Sequence, residues 1–173
     1  MPRSFEEVVL PHLDAAFNYA RWLTKNEADA EDVVQDACLR AFRAIGSLAD
    51  GSARPWVLTI VRNTAYTWLR KNRPSAVLVV EDLEAVEAAQ AVPGEPDGET
   101  PETALIAKAD AAALQASIAA LPTAYRETMI LRDVQGLSYR EIAEVTGVPI
   151  GSVMSRLARG RNQVIKAIRR SAS

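Results

Sequence analysis

The stretch SYREIAEVTGVPIGSVMSRLARGR, residues 138–161, fixes the positions of two helices and of the turn between them. Ser138 followed by Glu141 has the spacing of a capping box, which predicts a helix start. Gly147 stands where a tight turn needs a positive φ angle. Pro149 suits the first turn of a second helix. The pattern predicts a helix-turn-helix.

The second helix of this motif is predicted to bury one face and to offer the other to a ligand. The predicted inner face consists of Ile150, Val153, Leu157, Val164 and Ile168. The second helix of such motifs enters the major groove, and its early residues face base edges. The candidates for base contact are therefore Ser152, Met154, Ser155, Arg156 and Arg159, with Arg161 and Lys166 predicted to contact phosphates. The alternative is that these arginines form an ordinary solvated helix face.

The charged residues are segregated along the chain although the net charge is only −2. Residues 54–73 contain arginine and lysine but no acid, and residues 74–107 contain acids but no base. Six cations and no acid follow Glu144. Two basic tracts separated by an acidic one indicate two surfaces for a polyanion.

Apolar spacing predicts helices over most of the chain. We expect helices over residues 5–24, about 30–45 with Asp29 as N-cap, and about 55–72 before Pro74. Further helices are expected over 102–121 and in YRETMILRDV, which Gly136 ends. Proline, glycine and acidic residues predict a flexible linker over 75–103. The predicted fold is all-α, with helical domains at 1–74 and 104–173, the second containing the helix-turn-helix.

Several functional classes lack their usual sequence signals. No apolar run approaches the ~20 residues of a membrane span, so we expect no membrane insertion. One cysteine, Cys38, excludes an internal disulfide and fits a cytoplasmic location. Cys38 and the single histidine, His12, cannot form a four-ligand zinc site. No catalytic group, phosphate loop or cofactor motif is visible, so we expect neither an enzyme nor a cofactor.

The helix expected over 55–72 has an apolar stripe and a polar face. Trp56 and Trp68 are assigned to the core, and Tyr66 is left open between core and surface. An amide, cations and an aromatic ring on one surface suit unpaired bases and their phosphates. The polar face comprises Thr59, Arg62, Asn63, Tyr66, Arg70 and Arg73.

Three ordered segments together resemble a known family. They are DAEDVVQDACLRAFRAI, RPWVLTIVRNTAYTWLRKNR and LPTAYRETMILRDVQGLSYREIAEVTGVPIGSVMSRLARGR. They resemble bacterial RNA polymerase sigma factors of the extracytoplasmic function (ECF) group. The resemblance implies binding to core RNA polymerase, through the β′ clamp helices and the β flap, and to promoter DNA. It also implies −10 melting, transcription initiation and control by an anti-sigma factor.

The resemblance implies residue roles in three groups. The docking residues on core polymerase would be Asp32, Gln35, Asp36, Arg40 and Arg43, while Val33 and Phe42 hold the module together. The −10 DNA contacts would be Arg54, Arg62, Asn63, Tyr66 and Arg70. The −35 DNA contacts would be Ser152, Met154, Ser155, Arg156, Arg159 and Arg161. Met154 replaces a cation common in the family, and Ala158 replaces a bulkier residue, so the promoter sequence stays open.

Two other functions remain open at this point. A stand-alone helix-turn-helix regulator that binds duplex DNA as a dimer accounts for residues 138–161 but leaves Asn63 and the 29–45 segment without a role. A sigma-like decoy that sequesters an anti-sigma factor need not keep DNA-reading cations, and this chain has them. Dependence of promoter binding on core polymerase separates the first alternative from a sigma factor.

Overall fold

The computed structural model describes residues 3–48, 51–75 and 101–172, and every regular element among them is helical. The first module contains α1 (Phe5–Val9), a 3-10 turn (Leu10–His12), α2 (Leu13–Thr24), α3 (Glu27–Ala44), a second 3-10 turn (Ile45–Ser47) and α4 (Ala53–Asn72). The second module contains α5 (Pro101–Ala107), α6 (Ala111–Ala119), α7 (Thr123–Met129), a π-helical turn (Ile130–Val134), α8 (Tyr139–Thr146) and α9 (Ile150–Ala172). The predicted all-α class is confirmed.

The helix starts of the first module differ in detail from the predicted ones. The expected helix over 5–24 is interrupted at Leu10–His12, where Pro11 lacks the N–H that a continuous helix needs. Asp29 is not the N-cap of α3, and that prediction is wrong. Asn26 takes the role, because its side-chain oxygen accepts the Asp29 N–H at 2.9 Å and the helix starts at Glu27.

The second module also divides an expected helix. The single helix predicted over 102–121 is two helices, since Asp110 caps α6 by accepting the Ala113 N–H at 3.3 Å. The helix that precedes Gly136 widens into the π-helical turn, in which the Gln135 N–H donates to the Ile130 oxygen at 2.9 Å. Helix α5 begins at Pro101, inside the range that we assigned to the linker, and the linker residues 76–100 lie outside the described part of the chain.

Helices α2, α3 and α4 pack against one another and form the core of the first module. Helix α3 contributes Val33, Ala37 and Ala41, which recur at four-residue spacing and are all buried. Trp56 and Trp68 pack against this core as predicted and are partly buried. Burial of this apolar surface is the main stabilising term, at about 25 cal/mol per Å².

The two modules pack against each other and share one contiguous apolar core. Helix α7 lies against α2, and α8, the first helix of the helix-turn-helix, lies against α4. The basic face of α4 therefore meets the second module. Among the described residues, no helix is both long enough and apolar enough to cross a membrane.

Candidate nucleic-acid interface

The local geometry of the helix-turn-helix follows the sequence pattern. The Ser138 hydroxyl accepts the Glu141 N–H at 3.1 Å, and the Glu141 carboxylate accepts the Ser138 N–H at 2.9 Å. This reciprocal capping box begins α8. Gly147 has φ 73° and ends α8 with a left-handed residue. The Val153 N–H then donates to the Pro149 oxygen at 3.1 Å as α9 begins.

The inner face of α9 is close to the predicted one. Val153, Leu157 and Val164 are buried, and Ile168 is partly buried against the core. Ile150 is 42% exposed, so its predicted place on the inner face is wrong. It is the first residue of α9, ahead of the turn that contacts the core.

The predicted −35 residues fall into two sets. Ser152, Met154 and Arg159 are half-buried, whereas Ser155, Arg156 and Arg161 are buried, and α5, α6 and α7 all pack against α9. The Arg161 guanidinium donates to the Asp133 carboxylate, with Nη2–Oδ1 at 2.6 Å. The DNA roles of all six residues stay predictions.

The predicted −10 residues on α4 divide in the same way. Asn63 and Arg70 are exposed. The other three contact the second module. Arg54 donates through Nη2 to the backbone oxygen of Gln135 and, at 2.9 Å, to its side-chain oxygen. Arg62 and Tyr66 both bind Glu127.

Glu127 of α7 is fully buried and accepts four hydrogen bonds from the first module. Its Oε2 atom accepts the Tyr19 hydroxyl at 2.9 Å and Arg62 Nε at 3.0 Å. Its Oε1 atom accepts the Tyr66 hydroxyl at 2.9 Å and Arg62 Nη2 at 3.1 Å. The guanidinium also lies 4.1 Å from the centre of the Tyr66 ring. A buried charge is tolerated when it is paired and hydrogen-bonded to this extent.

Burial and charge in this network shift the pKa values of its members. Burial raises the pKa of Tyr19 and of Tyr66, and the adjacent Glu127 charge raises both further, although Arg62 opposes this. Burial alone would lower the pKa of Arg62, but the attraction of Glu127 outweighs it and the pKa is raised. The tyrosines therefore stay protonated donors and Arg62 stays a cation.

A second candidate surface lies on α3. The predicted docking residues Asp32, Gln35, Asp36 and Arg43 are exposed, and Arg40 is half-buried in an ion pair with Asp36 at 3.3 Å. The five residues share the face of α3 opposite to its buried alanines. Their polymerase-docking role stays a prediction.

Apolar side chains on α3 join this surface, and we did not predict them as part of it. Phe42 is 64% exposed and Leu39 is 58% exposed. The prediction that Phe42 holds the module together is wrong, since Ala41 points into the core beside it; Val33 is buried as expected. Phe5 of α1 packs edge-on against Phe42, with ring centres 5.7 Å apart. The three-and-four spacing of Gln35, Leu39 and Phe42 already placed them on one helix face.

Comparison with known proteins identifies the class to which this arrangement belongs. Residues 8–74 match the family described as Sigma-70 region 2, and residues 111–164 match Sigma-70, region 4. The first range holds the exposed face of α3 and the basic face of α4, and the second holds the helix-turn-helix up to Val164. Fold and candidate interfaces thus define a sigma-70-type protein.

Individual relatives narrow the class. The chain is 33% identical over 162 residues to the ECF RNA polymerase sigma factor SigE of Mycolicibacterium smegmatis, over 93% of this chain and 60% of that relative's length. It is 32% identical over 170 residues to the RNA polymerase sigma-H factor of Pseudomonas aeruginosa, over 96% and 86% of the two chains. It is 35% identical over 151 residues to the ECF RNA polymerase sigma-E factor of Escherichia coli, over 82% and 77%. The chain belongs to the ECF sigma factors.

Solved structures agree with this membership. The sigma factor RpoE in complex with the anti-sigma factor NepR from Bartonella quintana superimposes with TM-score 0.70 at 26% identity, over 95% of this chain and 96% of that one. The structure of CnrH in complex with the cytosolic domain of CnrY gives TM-score 0.59 at 25% identity, over 98% and 89%. Both similarities span the two modules.

Proposed function

We propose that this chain joins core RNA polymerase, directs it to promoters and helps to melt the −10 region, under the control of an anti-sigma factor. The observation that carries the proposal is the presence of both sigma-70 regions in one chain, with an exposed polar face on α3 and a helix-turn-helix in the second module. The protein supplies binding and specificity in this role, and the chemistry of RNA synthesis belongs to the polymerase.

The α3 surface docks on the β′ clamp helices. The acids, the amide and the arginines of this surface would pair with polar groups of the partner and orient it. The exposed Leu39 and Phe42 add apolar side chains beside them, and apolar and aromatic anchors carry much of the binding energy of protein interfaces. The presence of polar and exposed apolar side chains on one helix supports α3 as the polymerase-binding element.

The face of α4 captures unpaired −10 bases. Asn63 is exposed, and its amide offers one acceptor and two donors for a base edge. Arg70, on the same helix and also exposed, is suited to phosphates. Capture of bases on this face stabilises the separated strand, so melting requires no hydrolysis by this chain.

The −35 element is read by α9. Ser152, Met154 and Arg159 are the members of the predicted set with partly exposed side chains in the first half of the helix. Control by an inhibitor is supported by the two structural relatives, each of which was solved in complex with another protein, named as an anti-sigma factor in one case.

Reconstituted transcription tests the proposal. Core polymerase plus the purified chain, without inhibitor, is expected to start RNA at discrete sites on genomic upstream fragments. Core polymerase alone is the control. Initiation at none of the fragments would contradict a sigma function, and promoter binding by the chain without polymerase would favour the stand-alone regulator.

Asn63→Ala tests the −10 assignment within the same assay. Loss of a base-reading amide is expected to cost about 1–3 kcal/mol at the opening step, read as reduced permanganate reactivity of −10 thymines, with polymerase affinity unchanged. The matched control is Asn72→Ala, an exposed asparagine on the same helix whose amide donates to the Trp68 oxygen. Normal opening by Asn63→Ala would remove that residue from the site.

A further inference from the structure

The contact between the two modules is polar and specific, and it follows one stripe of α2. The backbone oxygen of Ala15 accepts Gln135 Nε2 at 3.3 Å, the Tyr19 hydroxyl donates to Glu127, and the Trp22 oxygen accepts Arg126 Nε at 2.7 Å. Positions 15, 19 and 22 are spaced by four and three residues, so they lie on one face of the helix. The second module therefore engages α2 in a single register.

Glu127 is the centre of this contact. Both of its oxygens are filled by donors from the first module, each accepting two hydrogen bonds. Its 0% exposure depends on that module, since the three donor residues belong to α2 and α4. Loss of these donors would leave an unpaired charge buried in the interface and would strongly destabilise the closed arrangement. In the open arrangement water solvates the same carboxylate, so the loss costs little there.

The same contact covers part of the face that we assigned to promoter DNA. Tyr66 is only 6% exposed and the Arg62 side chain only 12%, and Arg54 is bound to Gln135. The N–H and O–H groups that donate to Glu127 and Gln135 are not available to a phosphate or a base, and the Glu127 carboxylate offsets the charge of Arg62. Asn63 and Arg70 of the same helix are exposed. The second module therefore covers part of the predicted DNA-binding face of α4 and leaves the rest accessible.

We infer that Glu127 is an autoinhibitory clasp, which holds the second module closed over α2 and α4 so that Arg62 and Tyr66 reach promoter DNA only after the modules part. The inhibitory role rests on the proposed function, because it takes α4 as the −10 face. The closure itself rests on the contacts alone. A partner that binds only the open form, as we take polymerase to do, then has an apparent affinity equal to its intrinsic affinity multiplied by the fraction of chain that is open.

Distance measurements on the full chain without polymerase test the closure. Fluorophores on Thr67→Cys of α4 and Arg140→Cys of α8, both exposed positions, report the separation of the modules in a Cys38→Ser background. Glu127→Gln keeps the shape and removes the charge, and we expect it to raise the open fraction about tenfold. Glu144→Gln makes the same change at an exposed carboxylate of the second module and is expected to leave the distance unchanged.

A second set of variants keeps the test sharp if Glu127→Gln folds poorly. Tyr19→Phe and Tyr66→Phe each remove a single donor to Glu127 and leave the ring in place. Each is expected to open the chain partly, and the double variant more than either. Unchanged distances in every folded variant would overturn the clasp.

Polymerase affinity tests the inhibitory role. Glu127→Gln is expected to bind core polymerase about tenfold tighter than the wild type and the Glu144→Gln control, since opening no longer opposes binding. Opening without any gain in affinity would overturn the inhibitory role. Failure of the wild-type chain to initiate transcription would sink the proposed function, while the distances would still decide whether Glu127 closes the chain.

Discussion

At the scale of single residues, two glycines four positions apart have opposite effects on stability. Gly147 has φ 73°, a conformation that is strained for residues with a side chain, so Gly147→Ala is expected to lower the free energy of unfolding by about 1–2 kcal/mol. Gly151 lies in α9 with a negative φ and open space around it. Gly151→Ala is expected to raise the free energy of unfolding by up to about 1 kcal/mol. Urea denaturation measures both.

Gly160 provides the steric comparison for this pair. A Cβ atom there would lie 3.2 Å from Met129 Sδ and 3.4 Å from Tyr125 Cβ, where α9 crosses α7. Its substitution by alanine thus tests close packing rather than backbone strain. Equal effects of alanine at Gly147 and Gly151 would contradict the argument from φ.

Two arginines of α9 differ in how the fold uses them. Arg161 is tied to Asp133, and Arg161→Ala is expected to lower the free energy of unfolding by about 1–3 kcal/mol besides weakening DNA binding. Arg159→Ala is expected to change the free energy of unfolding by no more than about 0.5 kcal/mol.

The same variant should weaken −35 binding by about 1–3 kcal/mol if Arg159 reads a base. Thermal unfolding and holoenzyme binding to promoter fragments over a salt series separate the two effects. Promoter selectivity and salt slope both unchanged would remove Arg159 from the interface.

At the scale of helices, α3 has a structural face and a binding face. Val33→Ala opens a small cavity in the core and is expected to lower the free energy of unfolding by about 1–3 kcal/mol. Phe42→Ser removes a ring that is mostly exposed, so stability should change little while affinity for core polymerase falls at least about tenfold. Denaturation and a polymerase-binding titration give the two readouts. Normal polymerase affinity for Phe42→Ser would show that the exposed ring of Phe42 takes no part in docking.

Sequence pattern placed most helices correctly, because their start and stop signals are local. The capping box that begins α8 spans only the four residues from Ser138 to Glu141. The end of α8 is likewise marked by a single residue, Gly147. The start of α3 was misplaced since two capping residues, Asn26 and Asp29, lie in one turn and only the backbone geometry distinguishes them. The break before α6 was missed because its alanine-rich flanks favour helix on both sides and Asp110 alone marks it.

At the scale of the whole molecule, the sequence predicted the two modules but not how they pack. The contacts that join them are distant along the chain, with Tyr19 and Glu127 separated by 108 residues and Tyr66 and Glu127 by 61. No periodicity links such positions. Glu127 was therefore missed as a functional candidate, because it stands beside Arg126 in the mostly polar segment TAYRETM, where nothing in the sequence marks an acid as buried. We did not predict that a cation of α4, Arg62, would have a buried acid of the second module as its partner.

The contacts of Tyr19 and Tyr66 with Glu127 make the free energy of unfolding decrease at alkaline pH. In the folded chain, burial and the Glu127 charge raise the pKa values of Tyr19 and Tyr66, and Arg62 opposes this. In the unfolded chain both tyrosines titrate near pH 10. A raised pKa means that the stabilising contribution is complete below about pH 10 and is lost as pH rises above it. We expect the free energy of unfolding to fall there by up to about 1.4 kcal/mol per pH unit for each tyrosine.

The double variant Tyr19→Phe/Tyr66→Phe isolates this effect from every other titrating group. It keeps the lysines and the remaining tyrosines, Tyr125 and Tyr139, but cannot form the two tyrosinates that would face Glu127. Its free energy of unfolding at pH 8 should be lower than that of the wild type, since Glu127 loses two donors. Above pH 10 the gap should narrow, because the two tyrosines of the wild type ionise in the unfolded chain while they stay protonated in the folded one, and the double variant lacks both groups. Urea titrations at pH 8, 10 and 11 measure the gap, and a constant difference across that range would mean that folding does not raise the pKa of either tyrosine.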